Sequence, residues 1–177
     1  MALLKPFTGA ITQGFDGNNK AEPKLYHQSY RGLPLAAYKS SFPGYEGVAD
    51  HYHAAIDFAA AAGTPIVASE RCRVAQFGKD SVSGSLYVYL QVRPQTRIEH
   101  WHVSKFRAGL FVGQIIPRGG VVAYVGQTGW ATGPHDHNVL KITEKDPDGV
   151  IRQYLYNILR FMVGGDLAND TRVQPYY

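Results

Sequence analysis

Six of the seven histidines in this 177-residue chain fall in pairs two apart: His51 with His53, His100 with His102, and His135 with His137. Random placement predicts roughly 0.2 such pairs. On an extended strand the side-chain period of two puts both imidazoles of a pair on one face, where they can serve a single ion. One pair alone is equally well satisfied by hydrogen bonding, but three make histidine placement the feature that a fold must accommodate. The third pair sits in Thr128-Gly129-Trp130-Ala131-Thr132-Gly133-Pro134-His135-Asp136-His137-Asn138, where Gly and Pro punctuate a loop that runs into an apolar stretch.

The rest of the chain favours strands. Nineteen glycines, ten prolines and twelve tyrosines tilt the class towards sheet and turns. Leu86–Val92 is the strongest strand by propensity. After the turn at Pro94-Gln95, Arg97–Val103 alternates Ile98, His100 and His102 against Arg97, Glu99 and Trp101, which aims His100 and His102 the same way. Pro65–Phe77 reads as a hairpin-like pair bent at Ser69-Glu70-Arg71, and Val121–Val125 and Asn138–Ile142 read as further strands. From Ala54 to Gly63 a strand and turn is favoured, because Gly63-Thr64-Pro65 cuts short any helix. Ile151, Tyr154, Leu155, Ile158, Leu159 and Met162 fall at helical spacing, so one α-helix is predicted over 149–163, opened by Asp146-Pro147-Asp148-Gly149 and ended by Gly164-Gly165. Ile11–Asp50 carries too many turn residues for a long helix or strand and is expected to form a loop-rich wall. The expectation is one mostly β domain over residues 1–177: an antiparallel β-sheet core with groove-forming loops and one C-terminal α-helix, its motifs lying between about residues 50 and 145.

The formal charge of +4 is mild, and Lys and Arg are scattered without the basic run that marks a nucleic-acid tail. An anionic cell wall satisfies that charge as well as nucleic acid would, and no nucleic-acid partner is expected. No stretch approaches transmembrane length, so membrane insertion is not expected. Met1–Phe7 lacks both a basic n-region and a sustained apolar run, so no signal peptide is expected. Cys72 is the single cysteine; this excludes an intramolecular disulfide framework and a thiolate metal cluster, and no neighbouring histidine argues for a nucleophile, so it reads as core.

Carboxylate and imidazole can meet. His53 and Asp57 lie four apart, and with His137 they make a two-histidine, one-carboxylate ligand set suited to zinc, which accepts nitrogen and oxygen donors. Three protein ligands leave a fourth position for water, the feature that separates a catalytic zinc site from a structural one.

His53-x-x-x-Asp57 with Gly63-Thr64-Pro65-Ile66-Val67-Ala68, then His102-Val103-Ser104-Lys105, Val112-Gly113-Gln114, Val125-Gly126-Gln127-Thr128-Gly129 and Thr132-Gly133-Pro134-His135-x-His137 follow one another in order. In that order they resemble the motifs of the lysostaphin-type zinc endopeptidases, which cleave peptide bonds in bacterial peptidoglycan. The resemblance spans His53 to Ile142. It implies one Zn2+ per chain held by His53, Asp57 and His137, with His102 and His135 as catalytic residues that handle the proton of the attacking water and steady the oxyanion. The chain departs from the family at Ala54-Ala55-Ile56, where Gly-Gly or Gly-Val is common, and at His135-Asp136-His137-Asn138-Val139, where His-Leu-His-Phe-Glu is usual. Alternation points Asp136 away from its flanking histidines, towards packing. His51 and His100 have no role under the resemblance. With peptidoglycan as the expected partner, a bacteriophage lysin or virion-carried enzyme released by host lysis fits the expected lack of a signal peptide. The alternative is a non-enzymatic cell-wall-binding or phage tail module that retains the fold. Tyr45, close in sequence to His53, is the substrate contact expected from the wall.

Overall fold

Strands carry almost all of the regular structure in the computed structural model, which describes residues 3–13, 24–26 and 55–162. In chain order they are β1 (Ala10–Gln13), β2 (Lys24–Tyr26), β3 (Ile56–Ala59), β4 (Pro65–Val67), β5 (Cys72–Lys79) and β6 (Leu86–Arg93). They continue with β7 (Thr96–Trp101), β8 (Lys105–Phe106), β9 (Ile115–Ile116), β10 (Val121–Tyr124), β11 (His135–Lys145) and β12 (Ile151–Tyr156). A large antiparallel sheet runs β1-β3-β11-β7-β6-β5-β9, and β4-β10-β8 form a second, three-stranded sheet.

The eleven-residue β11 is the spine of the large sheet. It starts just after Gly133-Pro134, pairs along one edge with β7, and shares its other edge between β3, opposite 135–138, and β12, opposite 140–145. Alternation sends Asp136, Asn138, Leu140 and Ile142 into the interior. There Ile56, Phe58, Ile98, Leu140, Leu155, Ile158 and Met162 form one apolar cluster. Ile66, Val122 and Ala123 of the small sheet meet Val74, Val88, Leu90 and Ile116 of the large one in a second cluster. Each Val, Leu or Ile side chain among them contributes about 1.5–3 kcal/mol when fully buried, so packing between the sheets holds the small one in place. Phe7 packs against both clusters and meets Phe58 edge to face at 6.2 Å.

Two expectations need correction. The helix predicted over 149–163 is, in its described part, strand β12 followed by a single 3₁₀ turn at Ile158–Phe161. β3 stops pairing at Asn138, which leaves the β11 backbone beyond it in need of partners. The turn at Asp146–Gly149, with Gly149 at φ 82° and its N–H donating to Asp146 O at 2.8 Å, folds 151–156 back to supply them. The aromatic residues of this segment suit a strand as well as a helix, and Tyr154 OH reaches across to Asp146 Oδ2 at 2.6 Å. The hairpin read into Pro65–Phe77 also fails, because β4 joins the small sheet at β10 and β5 the large one at β6 and β9. The bend at 69–71 is therefore a crossover between layers. Among the described residues no helix is long and apolar enough to cross a membrane.

Candidate metal centre

The outward face of β3, β11 and β7 carries a row of side chains set by register alone. His137 stands directly across from Asp57 on one side and from Trp101 on the other, and Tyr87 of β6 continues the row beyond Trp101. His135, two residues before His137, shares that face. Asp57 is only 7% exposed, and its Oδ1 lies 3.0 Å from His137 Nδ1 while Oδ2 lies 3.7 Å from His135 Nε2.

His102 reaches the same site by a different route. Strict alternation would send it inward beside His100, but β7 ends at Trp101 and His102 has a φ of 63°, the one positive value among the described non-glycine residues. That left-handed step turns the ring outward, so its centroid is 4.8 Å from that of His135 and 5.7 Å from that of His137. The ligand atoms of His102, His135 and His137 all lie within 4.8 Å of one another. The expectation that His100 and His102 point the same way is thus overturned: His100 has no exposed surface and is bonded to Asp136 in the interior.

Loop carbonyls hold two of these rings. His102 Nδ1 is 2.8 Å from Thr128 O and 3.2 Å from Ser85 Oγ, and His135 Nδ1 is 2.8 Å from Gly133 O. A ring nitrogen facing a carbonyl must carry the proton, so in the neutral tautomer each Nε2 keeps its lone pair. Thr128 is itself tied down, accepting from Leu86 N–H at 2.9 Å and donating to Val103 O at 3.0 Å. Gly126 and Gly129 permit this close approach. A Cβ at Gly126 would stand 2.3 Å from Ser104 N, and one at Gly129 2.7 Å from Ser85 N. Burial, and then the charges of His137 and His135, push the His102 pKa down to about 4 against the raising effect of the Thr128 carbonyl, so the ring is neutral at pH 7.

This donor set suits zinc. Two ligand atoms on one tetrahedral zinc, each about 2.0–2.1 Å from it, stand roughly 3.3 Å apart, and the Asp57 and His137 atoms are already near that separation. The wider spread of His102 and His135 leaves them around such an ion. Of the residues singled out in the sequence, Asp57, His102, His135 and His137 converge here, whereas His53, His51 and Tyr45 lie outside the described residues. The clamp of Ser85 and Thr128 on His102 escaped the sequence reading, since a hydroxyl 17 residues away and a backbone carbonyl 26 residues away carry no local signal.

The model of peptidase family M23 matches residues 51–148. An uncharacterized metalloprotease of Haemophilus influenzae is 31% identical over 85 residues, which make up 48% of this chain and 18% of that protein. A zinc-containing peptidase from Vibrio cholerae is similar in structure with a TM-score of 0.56 at 23% identity, covering 79% of this chain and 36% of the other. The catalytic domain of the antimicrobial peptidase lysostaphin from Staphylococcus simulans gives 0.51 at 22% identity, covering 69% and 87%. At these identities the two structural likenesses show a shared fold. The chain spans less than a fifth of the Haemophilus protein and about a third of the Vibrio one.

Proposed function

Since the chain belongs to peptidase family M23, we propose that it is a zinc-dependent endopeptidase that hydrolyses a peptide bond in the stem or cross-bridge of bacterial peptidoglycan. The observation that carries this reading is the convergence of Asp57, His102, His135 and His137 on one sheet face inside the matched span.

Asp57 and His137, together with His53, would hold the metal. When bound, zinc supplies a Lewis acid that makes water nucleophilic at neutral pH and polarises the scissile carbonyl. His102 and His135, their Nδ1 atoms committed to loop carbonyls, present Nε2 to the reacting atoms. As neutral bases they can take the proton from the attacking water and return it to the departing amine, and as cations they can steady the oxyanion. No residue here needs to form a covalent intermediate. The mild positive charge of the chain suits an anionic wall. The segment 11–50 leads into His53, and we assign it to one wall of the substrate groove, with Tyr45 as a contact that tunes substrate choice.

Digestion of purified sacculi that differ in cross-bridge chemistry, with mass spectrometry of the released fragments, tests the reading. New amine termini at one bond type are expected. Asp57→Ala should lose most of its zinc by elemental analysis, and His135→Ala should keep zinc while turning over at least about a hundredfold more slowly. Sacculi left intact by fully zinc-loaded wild-type protein would instead indicate a wall-binding module.

A further inference from the structure

On the reverse side of β7 and β11, two of the strands that carry the site, lies a polar cluster with no exposed surface. His100, Asp136 and Asn138 are each 0% exposed. His100 Nδ1–H and Asn138 Nδ2–H both donate to Asp136 Oδ2, at 2.9 and 3.1 Å, and the two donors stand 3.1 Å apart as they converge on that oxygen. Register places the cluster in apolar surroundings: His100 lies across from Val88 of β6, and Asp136 and Asn138 across from Phe58 and Ile56 of β3. One polar atom of each, His100 Nε2, Asp136 Oδ1 and Asn138 Oδ1, has no hydrogen-bond partner among the described residues. Buried networks of this kind are commonly replaced by apolar side chains with no loss of stability, so stability alone does not account for this one.

Its position suggests another role. Asp136 lies between His135 and His137 on β11, and His100 lies two residues before His102 on β7. Asn138 and His100 are direct partners in the β7–β11 ladder. We propose that His100, Asp136 and Asn138 are positioning residues that lock the register and roll of β11 against β7, and so hold the three imidazoles on the opposite face at their working separations. This rests on reading those imidazoles as the site of chemistry. A slip of one residue would turn every side chain to the wrong face and is excluded by burial. A slip of two keeps the faces and would cost an all-apolar strand pair little. Here a slip in one direction sets His100 against Leu140, two pairs away from Asp136, which keeps only the Asn138 donor on its own strand; a slip in the other sets Asn138 against the apolar Ile98 and breaks its pairing with His100. The cluster makes the alternative registers expensive while the apolar residues around it supply the cohesion.

The test is the triple variant His100→Leu, Asp136→Val, Asn138→Val, assayed for thermal stability, zinc affinity, the visible spectrum of the cobalt-substituted protein, and kcat and KM. The expected result is a melting temperature equal to or above that of the wild type, an altered cobalt spectrum, and kcat lower by about tenfold to a hundredfold with KM little changed, the scale of a small misplacement of reacting groups. A triple variant with wild-type kcat and cobalt spectrum overturns the proposal. If that variant does not fold, the comparison passes to Asp136→Asn, which still accepts both bonds, and Asp136→Val, which accepts neither. The first should keep kcat within about threefold and the second should lose tenfold or more; equal kcat in the two overturns the proposal. Absence of peptidase turnover in the wild type is a failure of the functional reading, and the cobalt spectrum then still decides the positioning role.

Discussion

Gly129→Ala is the sharpest single test of how the loop holds His102. Gly129 has a φ of 70°, a region that costs an L-residue about 1–2 kcal/mol. A Cβ there would also stand 2.0 Å from Ser85 Oγ, 2.7 Å from Ser85 N and 2.8 Å from Ser85 Cα. The hydroxyl could swing aside, but the backbone atoms belong to the residue that leads into β6 and cannot move without disturbing the sheet. Overpacking of that kind costs about 1–3 kcal/mol. Together the two effects amount to about 2–5 kcal/mol, which for a chain of this size lowers Tm by roughly 5–20 °C. Ser85 and Thr128 both contact His102 Nδ1, so any folded Gly129→Ala protein should also lose turnover. Gly133→Ala is the matched control: it lies in the same loop with nothing within 4 Å of its added Cβ and should change stability by no more than about 0.5 kcal/mol. Differential scanning calorimetry of the three proteins decides the matter. Gly129→Ala and Gly133→Ala melting within about 2 °C of each other would refute the steric argument.

Other outcomes follow from the same contacts. His102 titrates near 4 in the folded protein and near 6.5 when unfolded, so between these values the unfolded chain binds the extra proton. Its contribution to stability is therefore complete above about pH 6.5 and is lost as pH falls towards 4; urea titrations of the zinc-free protein at pH 7, 5.5 and 4.5 should show this slope, and His102→Gln should flatten it. Replacing His102 with Ala should leave zinc bound and reduce turnover by about a hundredfold or more, and unchanged steady-state rates would remove it from the chemistry. Burial, reinforced by the charge of Glu70, pushes the Cys72 thiol up to about 11, so a thiol reagent at pH 7.5 should label the protein only in denaturant. Rapid stoichiometric labelling of the native protein would contradict that burial.

What the sequence determined by itself is whatever depends on neighbours along the chain. A period of two sends His135 and His137 to one face and Asp136 to the other, and that alternation is legible in five consecutive residues. Local strand propensity made the Leu86–Val92 strand readable and a short apolar run the Val121–Val125 strand, and the ordered motifs around them pointed to the family. Tertiary structure decided the rest, where a local preference was nearly balanced and a distant partner tipped it. The 151–162 segment carries both helical spacing and strand-forming aromatics; the open edge of β11 beyond Asn138 tips it to a strand, because unpaired backbone groups cost more than a modest propensity can return. His102 left the face that alternation assigned it because Thr128 and Ser85, brought in by the close approach of the Gly126–Gly129 loop, hold its ring outward at a left-handed φ. Asp136 read as a packing position, and only the register that sets Asn138 against His100 shows it to be the acceptor at the centre of a buried network.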